Sequence, residues 1–174
     1  MRPYWVWILG VALLLTACSK PQPPQRPSHR MGDPIGVDSA QLALMEMNAQ
    51  MAHAADAELT RLAQQQEEPY ALYHTNTWVH IFARGNENLP APEDGEEWLV
   101  HMRIFDVKEH LLLDTEQTFR IGKRELPLGV DANIKELHPG GKARLLVPWY
   151  SAYGIQGTTE IAPYENLIIE IELR

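Results

Sequence analysis

After Pro69 the apolar residues of this chain recur at every second position, and that period limits the fold more than any other feature. Trp78, His80 and Phe82 alternate with Val79 and Ile81. Over 97–105, Trp98, Val100, Met102 and Ile104 share one face. At the C-terminus Leu167, Ile169, Ile171 and Leu173 point one way, and Glu170 and Glu172 the other. Side chains alternate across a strand, so each pattern describes a half-buried strand with one face on a core. Shorter strand candidates lie at 111–114, 117–121 and 142–147. Only 130–137 looks helical in this part, closed by His138-Pro139-Gly140-Gly141. Five or six mostly consecutive strands with one short helix make an α+β domain with an antiparallel sheet.

Upstream of Pro69 the period changes. Asp38 opens a helical pattern with Gln41 three residues on, the spacing of a capping box. Met45, Asn48, Ala52, Ala55, Leu59 and Leu62 follow at helical spacing, which predicts a helix within 38–68. Two alanines and an asparagine make the seam weak. It suits a helix docked on its own domain, and a self-association or partner seam stays open.

Residues 19–34 hold five prolines and no large aliphatic side chain. Such a segment has too little apolar surface to pack and favours extended polyproline II, so 18–37 reads as a tether. At about 3.1 Å per residue it would reach on the order of 60 Å.

The first residues are also informative. Arg2 precedes an apolar stretch of about 14 residues, short of the roughly 20 needed to span a bilayer. It ends in Leu15-Thr16-Ala17-Cys18, and the chain has 1 cysteine, so no internal disulfide can form. A leader over 1–17 followed by Cys18 resembles the lipobox of bacterial lipoproteins. That resemblance implies cleavage before Cys18, acylation of its thiol and amine, and attachment to a membrane. Ser19 is not Asp, which in such proteins would favour inner-membrane retention. The expectation is an envelope protein anchored to the outer membrane and facing the periplasm.

Several chemistries find no support. A formal charge of −8 and no long basic run argue against nucleic acid as a partner. The 7 histidines show no i, i+4 helical pairing, so no metal is expected. No dinucleotide or phosphate-loop glycine pattern occurs, no serine stands in a nucleophile elbow, and no cofactor is implied. Glu93, Asp94, Glu96 and Glu97 read as a solvated loop face.

The stretch RLLVPWYSAYGIQG leads further. Around it stand Gly122-Lys123-Arg124-Glu125-Leu126, Gly129-Val130, Pro139-Gly140-Gly141-Lys142-Ala143-Arg144, Val147-Pro148, Ala152-Tyr153-Gly154, Ile161-Ala162-Pro163 and the final strand to Leu173. In that order these resemble the FKBP-type peptidyl-prolyl cis–trans isomerases over roughly 78–174, most specifically from Gly122 onward, which implies an FKBP-like domain over 70–174. The helix after a lipobox and tether more weakly resembles lipoprotein members linked to gliding motility and type IX secretion.

The resemblance implies a half-barrel antiparallel sheet wrapped on one short helix, with a proline-binding cleft between them. It implies substrate-binding positions at Met102, Leu113, Leu126, Val130, Ile161 and Ile169, and polar orienting groups at Asp114 and Tyr153. Proline-containing polypeptides would be the clients. Departures stand beside the agreements: where the family places aromatic rings this chain offers Met102, Leu113, Gln117, Val130 and Ile169. Pro127 stands where the family uses a backbone N–H, and proline has none. Two functions are therefore expected: a tethered isomerase with weak catalysis, or a non-catalytic FKBP-like chaperone or subunit of a secretion or gliding complex.

Overall fold

The computed structural model describes residues 39–174. The leader, Cys18 and the tether lie outside them. Helix α1 (Ser39–Gln65) comes first, followed by β1 (Ala71–Leu72), β2 (Trp78–Ala83), β3 (Glu97–Asp106) and β4 (Leu111–Arg120). A short helix α2 (Leu128–Asn133) runs into a 3-10 turn (Ile134–Glu136), and β5 (Lys142–Val147) and β6 (Leu167–Leu173) complete the fold. Further 3-10 turns sit at His74–Asn76 and Trp149–Ser151. The strand candidates at 111–114 and 117–121 are one continuous strand, β4.

All six strands form one antiparallel sheet in the order β1-β2-β5-β6-β3-β4. The alternating residues meet in register. Val100, Met102 and Ile104 of β3 pair with Leu173, Ile171 and Ile169 of β6, which in turn pair with β5 at Ala143 and Leu145. These inward side chains form one buried cluster with Val130, Ile134 and Leu137 from α2 and the turn after it. Each fully buried aliphatic side chain there stabilises by about 1.5–3 kcal/mol.

Gly129 lets α2 come this close. A Cβ there would stand 2.6 Å from Val147 Cγ1 and 2.8 Å from Thr77 Oγ1, so only glycine fits against β5.

The other face of the sheet carries the second helix. α1 has no Gly or Pro in its span and is rich in alanine, both favourable to helix. Ala55, Leu59 and Ala63 are its buried residues, and Leu59 and Ala63 pack on Leu146 and Ile168, with Trp78 and Phe105 at the edge. The expected seam is buried only in part: Met45 is 65% exposed, and Ala63 is buried where Leu62 is only half-buried. The sheet is thus covered by α2 on one side and by the second half of α1 on the other.

Candidate functional site

The inner cluster is where most of the expected site residues converge. Val130 comes from α2, Met102 from β3, Ile169 from β6, and Ile161 from the segment between β5 and β6; Leu126 lies just before α2. Leu113 of β4 packs against the same cluster half-buried, as does Tyr153, from the segment after Pro148. Six predicted residues and Tyr153 therefore occupy one place, between the short helix and the sheet.

Asp114 does not join them. β4 pairs with β3 so that Leu113 stands opposite Ile104 and Asp114 opposite Arg103. Adjacent strand residues point to opposite faces. With Leu113 on the inner cluster, Asp114 lies on the outer face, where its Oδ1 is 2.7 Å from His101 Nε2 and its side chain is half exposed. The role expected for Asp114 as an orienting group of the cleft finds no geometry here. Its neighbours are the ion pairs of the outer face, Arg103 with Glu170 and Arg144 with Glu109.

Pro127 precedes α2 directly, and its carbonyl accepts the N–H groups of Val130 and Asp131. It starts the helix well, since a proline there loses no helical bond. The site therefore has no backbone donor at 127.

Aromatic rings are less absent than the sequence suggests. Phe119 of β4 is buried in the inner cluster, and Tyr73 and Trp98 pack against it. Trp98 and Phe119 are a cross-strand pair. Gln117 sits two residues before Phe119 and is exposed. The period-two pattern of 97–105 had already placed Trp98 on the inner face; Phe119 carries the same signal once β4 is continuous, whereas Tyr73 lies in no periodic run.

Tyr153 brings a hydroxyl-bearing ring against the cluster. It stands between the 3-10 turn Trp149–Ser151 and a tight return at Gly157, whose φ is +63° and where a Cβ would sit 2.3 Å from the carbonyl oxygen of Ile161. That close approach brings Ile161 back towards Tyr153. Burial, with the Glu160 carboxylate adding to it, pushes the Tyr153 phenol above its usual pKa. The O–H therefore remains a neutral donor through the physiological range.

Comparisons with known proteins bear on the fold. Residues 92–174 match the family model of FKBP-type peptidyl-prolyl cis-trans isomerases. This segment is similar to an FKBP-type domain. An FK506-binding protein 4 of Dictyostelium discoideum is 36% identical over 92 residues, a match that covers 48% of this chain and 24% of that protein. This chain thus spans only a small part of that relative's length. Among solved structures, FkpA from Escherichia coli superposes with a TM-score of 0.61 at 22% identity, over 79% of this chain and 64% of that one. A peptidyl-prolyl cis-trans isomerase from Pseudomonas syringae pv. tomato gives 0.60 at 20% identity, over 71% and 92%. At such identities the likeness establishes the fold. In this FKBP-like fold the expected site residues gather between α2 and the inner face of the sheet.

Proposed function

We propose that the chain is a peptidyl-prolyl cis–trans isomerase of weak activity that assists folding of proline-containing polypeptides, held to a membrane of the bacterial envelope through acylated Cys18. The observation that carries the enzymatic part is the meeting of Val130, Tyr153, Ile161 and Ile169 between the short helix and the sheet of an FKBP-like domain.

An X–Pro bond turns over a barrier of about 18–20 kcal/mol, and no covalent chemistry is needed to lower it. A twisted amide has lost resonance, and its carbonyl is less polar than in the planar ground state. An apolar site favours the twisted form by differential binding. In this reading Val130, Ile161 and Ile169 supply the apolar grip, and the Tyr153 O–H orients the carbonyl. Without an N–H at 127 and without Asp114, Tyr153 is the polar handle of the site. An acceleration of about 10³-fold needs only ~4 kcal/mol, and one missing hydrogen bond removes about 1 kcal/mol of it.

A second reading is favoured by how tightly the site is filled. Val130 and Ile169 have no exposed surface, Ile161 has 1% and Leu126 4%. These four side chains offer a proline ring almost no exposed surface. A client-binding module without turnover, serving as a chaperone or complex subunit, would keep this packed cluster.

Titration of the labelled full chain with a Leu-Pro peptide separates a binding cleft from a sealed core. Amide shifts concentrated at Val130, Tyr153 and Ile161 support the cleft; shifts confined to the outer face around His101 and Arg103 contradict it. For the anchor, a clickable palmitate fed to cells should label the wild type and not Cys18→Ser. Labelling that survives the substitution would remove Cys18 as the attachment point.

A further inference from the structure

The segment 148–166 carries Tyr153 and Ile161, yet apart from the 3-10 turn Trp149–Ser151 it has no helix or strand of its own. Something must fix it, and α1 grips it at both ends. Near the start, the Tyr150 hydroxyl donates to Asp56 of α1. Near the end, the Tyr164 hydroxyl donates to Asn48 Oδ1 at 3.1 Å, and Asn166 Nδ2 to Glu58 Oε2 at 2.8 Å. Asn166 closes the ends together, since its Oδ1 accepts the Trp149 N–H at 3.0 Å. The Trp149 and Tyr164 rings meet edge-on at 4.8 Å.

The grip extends to the turn His74–Asn76. Asp56 also accepts from Asn76 Nδ2 at 3.4 Å, in the turn where Thr75 and Asn76 have φ of 59° and 53°. In that turn the Thr75 carbonyl accepts from Ser151 Oγ and the His74 carbonyl from Asn133 Nδ2 of α2. Two of the α1 groups are carboxylates, which form stronger hydrogen bonds than neutral acceptors.

We propose that α1 is a latch that positions the wall of the cleft, with Asn48, Asp56 and Glu58 as positioning residues for Tyr153 and Ile161. The proposal rests on the cluster around Tyr153 being the proline site, but the latch itself is tested independently of that. On this account the helix is a working part of the FKBP-like domain, and a domain cut free of it loses the order of its loop.

The test compares the full chain with Asp56→Ala/Glu58→Ala, Asp56→Asn, and Arg61→Ala on the exposed side of α1. Amide exchange over 149–157 should quicken about tenfold in the double variant while β4 amides hold. Asp56→Asn keeps an oxygen for the Tyr150 hydroxyl and should stay within about twofold of wild type, as should Arg61→Ala. For a Leu-Pro peptide, KM should rise by about threefold to tenfold in the double variant with a smaller change in kcat. Unchanged exchange over 149–157 overturns the latch. A lower KM also overturns it, because the contacts would then hold the site shut. Quickened exchange with unaltered KM keeps the latch and refutes the site; a wild type without turnover refutes the isomerase reading, while exchange still decides the latch.

Discussion

Tyr153 and Tyr150 lie three residues apart and do different work. Tyr153→Phe keeps the ring in the cluster and deletes the donor, so turnover of a Leu-Pro peptide should fall by about threefold to tenfold, the worth of one hydrogen bond. Asp114→Ala should leave turnover within about twofold of wild type, because Asp114 faces His101 across the outer face. Burial and the hydrogen bond to Asp56 push Tyr150 up to about 12. Its folded pKa exceeds its unfolded value, so its contribution is complete below about 10 and is lost as pH rises from there to about 12. Thermal midpoints measured at pH 8 and 11 should therefore differ less in Tyr150→Phe than in the wild type; an equal or larger difference contradicts the assignment. The misplacement of Asp114 has a plain cause. Leu113 and Asp114 are neighbours in one strand, both in the 111–114 candidate and in β4, so strand parity sends them to opposite faces, whereas the family resemblance had placed both in the cleft.

Among the elements, the inner face of the sheet was legible because strand parity is a short-range signal: three residues suffice to say which way the fourth points. α2 was legible within a few residues, its start fixed by Pro127 and its approach by Gly129. Gly129→Ala should destabilise by about 1–3 kcal/mol, since the added methyl meets Val147 and Thr77 with no room to yield. Chemical denaturation measures this, and a neutral result would mean that α2 can shift off β5. The docking face of α1 was legible only in part: Ala55 and Leu59 of the expected seam are buried, while Met45 is exposed. A weak alanine-rich seam is compatible with several partners, and the residues that decide the matter, Leu146 and Ile168, lie far along the chain. The latch was hidden for the same reason: Asn48, Asp56 and Glu58 find partners 116, 94 and 108 positions away. Leu59 is 1% exposed under the helix, so Leu59→Ala should cost about 2–4 kcal/mol in the same denaturation experiment.

Among the described residues, the sheet has one helix over each face, and α1 joins the two sides by reaching past the sheet to the segment 148–166. Its docked half is Ala55 to Ala63, while Leu42, Leu44, Met45 and Met47 remain exposed. The central claim is that the inner cluster accelerates proline isomerisation, and the rate of cis–trans exchange in a Leu-Pro peptide tests it most directly. The expected result, with catalytic amounts of the full chain, is exchange faster than the unaided reaction but well short of about 10³-fold, and slower in Tyr153→Phe. Exchange at the unaided rate, or catalysis indifferent to Tyr153→Phe, would contradict it.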